Sequence, residues 1–180
     1  MDISLQLLFD DPSTERLREV WHRQAEITGS STLIDGPYDP HITLGLFKNL
    51  DQEQFSSELR DIACDVTEFE VRFGHIGQFS GEEGTLFLVP VCNNILQRLH
   101  LSVLSICDKL RGDLARPEHY KPENWVPHCS VSWRTERESI LRGLNELLTT
   151  GYPSSVIANK IHLVRTSDDG SLEKICLKSS

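Results

Sequence analysis

The chain carries one short pattern twice, and this repetition constrains its fold more than any other feature. Residues 40–44 are Pro-His-Ile-Thr-Leu and residues 127–131 are Pro-His-Cys-Ser-Val, so each copy is Pro-His-x-(Thr/Ser)-apolar. Side chains alternate between the two faces of a β-strand. Each copy therefore predicts a strand that buries apolar residues on one face and presents an imidazole beside a hydroxyl on the other.

Strict alternation assigns three residues of each copy to the polar face: His41, Thr43 and Gly45 in the first, and His128, Ser130 and Ser132 in the second. The opposite face of the second strand would bury Cys129, Val131 and Trp133 in the core. Because Cys129 faces away from His128 in this arrangement, the pattern disfavours a nucleophilic cysteine activated by that histidine.

The elements around the two motifs recur in the same order. Hydrophobic periodicity and capping residues predict helices that begin near residues 10–13, 51, 93–94 and 136. They also predict strands over residues 3–9, 41–47, 69–79, 85–91, 128–133, 156–166 and 172–177. The histidines, the helices after them and the hairpin turns are each about 87 residues apart. This constant offset indicates an internal duplication, with half-repeats over residues 1–91 and 92–180 of a single domain.

Length and composition are those of one ordinary globular domain. The chain has 180 residues, of which 38% are hydrophobic and 25% charged, and it contains no apolar run of the roughly 20 residues that a membrane span needs. The N-terminus lacks the features of a signal peptide. Five widely spaced cysteines without a Cys-x-x-Cys pair are typical of a reduced protein. We therefore expect a cytoplasmic monomer with no membrane partner.

The net charge limits the class of substrate. At −9 the chain is acidic, whereas proteins that hold long nucleic acids by the phosphate backbone are usually basic. A long duplex is therefore an unsuitable partner. A short nucleotide or an RNA end remains suitable, because a few local cations can hold it.

Two imidazoles and two hydroxyls in one cleft suit chemistry at a phosphodiester. The hydroxyls can donate hydrogen bonds to the non-bridging oxygens, while one imidazole accepts a proton and one imidazolium donates a proton. Histidine fits both roles because its ordinary pKa lies near 6.5. This scheme requires no metal or other cofactor, and zinc-like spacings of His and Cys are missing from the sequence.

The duplicated motif resembles that of the 2H phosphoesterases, which are named for paired His-x-(Thr/Ser)-apolar segments. The nearest branches are similar to the bacterial 2′-5′ RNA ligases and the small cyclic phosphodiesterases. The resemblance implies a bilobal, duplicated α+β fold of two mainly antiparallel sheets with flanking helices around a central cleft. It also implies metal-independent action on 2′,3′-cyclic phosphates or 2′-5′ linkages. Ser130 stands where many members carry Thr, and it retains the hydroxyl.

These considerations define the candidate site. We predict His41 and His128 as the acid–base pair, and Thr43 and Ser130 as the groups that hold the phosphate. Possible substrate-binding residues lie just before the motifs or in the loop over residues 116–125: Tyr38, Tyr120 and Trp125. His75 and His162, which share the 87-residue offset, could also reach the cleft.

Several alternatives stay open on the sequence alone. The chemistry could run as hydrolysis or as RNA 2′-5′ ligation, and either histidine could be the base. A non-catalytic nucleotide-binding module would keep the cleft without turnover, although binding alone does not require two proton-transfer groups. The precise nucleotide is not specified by so short a motif.

Overall fold

The computed structural model describes residues 2–79, 83–91 and 93–179. Its strands are β1 (Ile3–Phe9), β2 (His41–Lys48), β3 (Phe69–Phe79), β4 (Glu83–Pro90), β5 (Asp113–Leu114), β6 (Cys129–Glu136), β7 (Ser155–Arg165) and β8 (Gly170–Cys176). Its helices are α1 (Asp11–Thr28), α2 (Thr32–Asp35), α3 (Gln52–Asp65), α4 (Asn94–Lys109), α5 (Pro117–Tyr120) and α6 (Arg137–Thr150). Ser80, Gly81 and Glu82 of the predicted turn over residues 80–84 lie outside the described residues.

The helices begin where capping side chains satisfy free backbone N–H groups. The Asp10 carboxylate accepts from the backbone of Ser13, and Asp51 caps α3 in the same way, each at 2.9 Å. Asn93 caps α4, as the sequence predicts. Gly29 ends α1 with φ of 77°, a left-handed conformation that glycine adopts without strain. Among the helices of the described residues, none is long and apolar enough to cross a membrane.

The strands form an antiparallel sheet in the order β5-β2-β1-β7-β3-β4-β6, with β8 also paired to β7. Strand β3 joins two parts of this sheet, because its residues 69–72 pair with β7 and its residues 73–79 pair with β4. We call β2, β1, β7 and β8 the His41 side, and β6, β4 and residues 73–79 the His128 side. The predicted α+β class with antiparallel strands and flanking helices is confirmed.

The predicted alternation is wrong from Gly45 onward in the strand of the first motif. Gln6 pairs with Thr43 and Leu5 pairs with Gly45, so that Leu44 is an extra residue in β2. Such a β-bulge shifts the phase of the side chains that follow it. Leu44 and Gly45 are consequently both buried. Gly45 therefore belongs to the core and does not share the face of the motif's polar residues.

The second motif has a bulge at the equivalent place. Phe87 pairs with Ser130 and Leu86 pairs with Ser132, which leaves one unpaired residue between them in β6. Ser132 is buried as a result, and its hydroxyl hydrogen-bonds that of Thr135. Trp133, predicted to face the core, is only half-buried. In both strands the side chains thus follow the predicted faces through Leu44 and Val131, and the two faces are exchanged from Gly45 and Ser132 onward.

The first helix of each predicted half packs on the His strand of the other half. Helix α1 lies against β6, and its Trp21 donates Nε1–H to the carbonyl of Ser130 at 2.9 Å. Helix α4 lies against β2, and the Nδ1 atom of its His100 lies 2.8 Å from the carbonyl oxygen of Leu44. These crossed contacts tie the two parts of the sheet to each other.

The pairing of β3 with β7 supports the predicted duplication. Glu70 lies opposite Ile157 near the centre of this antiparallel ladder, and these two residues are separated by the same offset as the two histidines. A local two-fold axis at that point would exchange the two halves. The division into half-repeats over residues 1–91 and 92–180 stays a prediction that this register favours.

Candidate active site

His41 and His128 are oriented by the same local contact. The Nδ1 atom of His41 lies 2.7 Å from the carbonyl oxygen of Asp39, and that of His128 lies 2.8 Å from the carbonyl oxygen of Val126. A carbonyl oxygen can only accept, so Nδ1 carries the hydrogen in each ring. In the neutral form the lone pair is then on Nε2. Nε2 is therefore the atom of each ring that can exchange a proton with a substrate.

The proline of each motif explains this orientation. Pro40 and Pro127 stand between the accepting carbonyl and the histidine. A proline restricts the residue before it to extended backbone conformations. The carbonyl two positions before each histidine therefore has little freedom, and the ring that donates to it is held in one place.

The two motifs meet in space where their strands begin. The backbone N–H of His41 is directed at the thiol of Cys129. The charge of protonated His41 also lowers the pKa of His128, which places the two imidazoles within electrostatic reach of one another. The structure thus brings together two residues that are far apart in the chain.

Burial lowers the pKa of both catalytic candidates. The effect of burial on His41 is partly offset by its hydrogen bond to Asp39. The hydrogen bond of His128 to Val126 likewise offsets part of the effect of burial on the pKa of His128, and the nearby His41 lowers this pKa further. A pair of this kind titrates as a unit. Because burial outweighs the hydrogen bonds that favour the charged forms, both rings lose a proton more readily than an exposed histidine does.

Cys129 is excluded as a nucleophile. Its side chain is fully buried, and burial raises the pKa of its thiol to about 12. The thiolate is the reactive form of cysteine, and it is not populated near neutral pH in this environment. The prediction that Cys129 faces away from His128 is confirmed.

Thr43 and Ser130 are half-buried, and their strands are braced by indole groups. Trp125 donates Nε1–H to the carbonyl of Thr43 at 3.1 Å. Trp21 donates to the carbonyl of Ser130 at 2.9 Å. Each hydroxyl-bearing residue therefore has its backbone fixed by a tryptophan. Sequence reasoning missed the contact of Trp21, because its partner lies 109 residues away.

The three possible substrate-binding residues occupy different surroundings. The Tyr120 hydroxyl shares a hydrogen bond with the side chain of Thr43, so it borders the predicted phosphate position. The Trp125 ring is stacked on His100 at 3.8 Å between centroids, which covers one face of the indole. The Tyr38 hydroxyl donates to Asp169 at 2.9 Å.

Of the two further histidines, His162 comes close to the site and His75 is exposed. His162 pairs with Gln6, the residue that also pairs with Thr43. The residue in the matching position on the His128 side is Gly77, which pairs with Phe87, the residue that also pairs with Ser130. The 87-residue offset that related the two histidines in the sequence is therefore broken here.

His162 should make the protein less stable in acid. Burial, the Lys174 ammonium and His41 lower its pKa to about 4, against about 6.5 in an unfolded chain. Between these values the unfolded chain binds more protons. The stability that neutral His162 contributes is thus complete above pH 6.5 and is lost as the pH falls towards 4.

We expect the free energy of unfolding of wild type to fall by about 2 kcal/mol more than that of His162→Gln between pH 7 and pH 4.5. Urea unfolding of both proteins at the two pH values measures this difference. The exposed His22→Gln variant is the matched control and should follow wild type. Equal pH dependence in wild type and His162→Gln would contradict the assignment.

The chain belongs to the 2′-5′ RNA ligase superfamily, whose family model matches residues 37–170 and thus includes both His motifs. The resemblance of the motifs to the 2H phosphoesterases is thereby confirmed. Membership indicates an enzyme of the phosphodiesterase or ligase type. No curated protein matches the chain.

Solved structures share the fold over its full length. Protein TT0787 of Thermus thermophilus is 15% identical, with a TM-score of 0.67 and complete coverage of both chains. LigT of E. coli is 12% identical, with a TM-score of 0.61 and coverage of 98% of this chain and 97% of its own. Usb1 of Kluyveromyces marxianus is 13% identical, with a TM-score of 0.54 and coverage of 98% of each chain. These likenesses establish the fold.

Proposed function

We propose that the protein is a metal-independent phosphodiesterase that acts on nucleotides with a 2′,3′-cyclic phosphate or a 2′-5′ linkage. The observation that carries this proposal is the matched pair of imidazoles, each with Nδ1 held by a backbone carbonyl and with a hydroxyl two residues further on. His41 and His128 serve as the acid–base pair. Thr43 and Ser130 hold the phosphate.

The proposed reaction is balanced by one proton accepted and one donated. In hydrolysis, Nε2 of one neutral histidine removes a proton from a water molecule whose oxygen attacks phosphorus. The bond from phosphorus to a sugar oxygen breaks, and Nε2 of the other histidine, protonated beforehand, donates its proton to that oxygen. The Thr43 and Ser130 hydroxyls donate to the two non-bridging oxygens as their negative charge grows.

Ligation uses the same chemistry with a different nucleophile. An RNA hydroxyl takes the place of water and attacks the phosphorus of a cyclic phosphate, one histidine removes the proton of that hydroxyl, and the other protonates the sugar oxygen that leaves. In the reverse reaction, cleavage of the new 2′-5′ linkage, the two histidines exchange roles. Both directions use the same four side chains. The family to which the chain belongs is named for the ligase activity, which makes this direction the second candidate.

Nucleotide complexes of related folds support a nucleotide as the substrate. LigT of E. coli has been crystallised with 3′-AMP and with NADP+, and Usb1 of Kluyveromyces marxianus with uridine monophosphate. A single short nucleotide or an RNA end also agrees with the net charge of −9. We therefore propose a small or end-directed substrate in place of a long duplex.

A substrate panel run in both directions tests this function. It comprises nucleoside 2′,3′-cyclic phosphates, ADP-ribose 1″,2″-cyclic phosphate, 2′-5′ oligoadenylate and tRNA halves, each incubated in the presence of excess EDTA. We expect turnover of at least one cyclic or 2′-5′-linked compound, at a rate that EDTA does not change. Binding of these compounds without any turnover would instead indicate a nucleotide-binding module.

A further inference from the structure

Two phenylalanines form an aromatic surface beside His128. The rings of Phe79 and Phe87 are tilted against each other at 4.2 Å between centroids. The His128 ring lies 4.9 Å from Phe79 and 5.0 Å from Phe87. Phe87 is buried, whereas Phe79 is 40% exposed. We call Phe79 and Phe87 the aromatic shelf, of which Phe79 is the solvent-facing part.

A glycine allows the shelf to form. Phe87 pairs with Ser130 on one side and with Gly77 on the other. A Cβ atom on Gly77 would lie 2.2 Å from the Phe87 ring, which is far inside van der Waals contact. Only glycine at this position lets the ring of Phe87 lie across β3. The shelf is therefore placed by the backbone of the sheet.

The matching positions on the His41 side are polar. Gln6 pairs with Thr43, in the position that Phe87 takes relative to Ser130. His162 pairs with Gln6, and Lys174 pairs with His162. Beyond them the Asp39 carboxylate accepts from Arg18 at 2.7 Å and from Lys174 at 3.0 Å. The two sides of one site thus differ sharply in chemistry.

We propose that the substrate binds in one direction, with its nucleobase stacked on Phe79 and its polar remainder towards Gln6 and His162. The proposal rests on the proposed function and specifies the substrate more closely. Every nucleobase has an apolar face that can stack on an aromatic ring. An exposed phenylalanine next to His128 provides such a surface, whereas the strand positions that match Phe87 and Gly77 on the His41 side are the polar residues Gln6 and His162.

The test compares two cyclic phosphates that differ in the presence of a base. Adenosine 2′,3′-cyclic phosphate carries one, and glycerol 1,2-cyclic phosphate presents the same five-membered ring without it. Stacking predicts that Phe79→Ala lowers kcat/KM for the adenosine compound about 10- to 100-fold. It should change kcat/KM for the glycerol compound by no more than about twofold, because the phosphate contacts are unaffected.

Two further variants sharpen this comparison. Phe79→Trp retains an aromatic face and should keep most of the preference for the adenosine compound. Leu141→Ala removes a side chain that is 72% exposed on α6, so it controls for the loss of any surface apolar group and should match wild type. Thermal unfolding of each variant verifies that the fold is intact.

An equal loss for both substrates in Phe79→Ala would overturn the proposal, because Phe79 would then act only by orienting His128. Unchanged kinetics would overturn it as well. If wild type hydrolyses neither compound, stacking is measured by calorimetric binding of 3′-AMP and glycerol 2-phosphate, while the full substrate panel decides the proposed function separately. A loss in Phe79→Ala of affinity for 3′-AMP alone supports the stacking site, and any other pattern refutes it.

Discussion

Replacing either His41 or His128 with glutamine is expected to lower kcat/KM for the hydrolysed nucleotide by about 10²- to 10⁴-fold. This is the usual contribution of a positioned acid or base. Glutamine keeps a polar group of similar size, but it cannot take up or release a proton at the position of Nε2. Steady-state kinetics with the best substrate of the panel provides the measurement.

The double variant His41→Gln/His128→Gln shows whether the two histidines act together in one mechanism or contribute to kcat/KM independently. Residues that act in one proton-transfer scheme are strongly non-additive. We therefore expect the loss in His41→Gln/His128→Gln to be far smaller than the product of the two single losses. His22→Gln, an exposed histidine on α1, should retain wild-type turnover. Turnover like that of wild type in both single variants would refute the catalytic assignment.

The pH profile gives the same prediction a second readout. In the proposed mechanism the active form of the pair has one proton on two imidazoles, and the pKa of each imidazole lies below its ordinary value. The maximum of kcat/KM should therefore lie below pH 6.5 in wild type. Each single variant should lose one limb of the bell-shaped profile. An optimum well above pH 7 would contradict these pKa shifts.

Removal of the hydroxyls of Thr43 and Ser130 should lower turnover more than any change except replacement of His41 or His128. Thr43→Val and Ser130→Ala each delete one of the two proposed donors to the phosphate oxygens, and loss of one such donor typically lowers kcat by about 10²- to 10³-fold. The charge on those oxygens grows in the transition state, so kcat should fall more than KM rises. Single-turnover rates and KM values measure the two effects separately.

The structure provides matched controls for this pair. Thr43→Ser and Ser130→Thr keep a hydroxyl and should retain most of kcat. Ser132→Ala removes the hydroxyl that strict alternation placed on the same face as Ser130. The bulge has turned Ser132 into the core, so this change should affect the free energy of unfolding and leave kcat almost unchanged. A loss of kcat in Ser132→Ala comparable with that in Ser130→Ala would contradict the observed register.

Much of the fold could be predicted because its signals are local. A cap such as Asp51 or Asn93 and the periodicity of the following residues determine where a helix begins. The prediction was less complete around the loop over residues 116–125, since the short element α5 lies within it and β5 lies just before it. Elements of two to four residues depend on their neighbours for stability and carry almost no periodic signal.

The candidate site could be predicted only in part. His41 and Thr43 share one face of β2, and His128 and Ser130 share one face where β6 begins. Predicting these shared faces needs nothing more than alternation over three residues. The inward turn of Gly45 and Ser132 depends on how β1 and β4 pair with these strands, which no local pattern reveals. The indole donors Trp21 and Trp125 likewise reach carbonyls 109 and 82 residues away.

By itself the sequence determined the longer helices and strands, the family, and the choice of two histidines as the proposed acid–base pair. These depend on short-range preferences of the backbone and on the chemistry of imidazole and hydroxyl groups. Only the tertiary structure decided that His41 and His128 share one site, that His162 joins it and His75 does not, and that Phe79 stands beside His128. Such placements depend on bulges, glycine contacts and crossed helices, whose geometry is set by packing between residues distant in the chain.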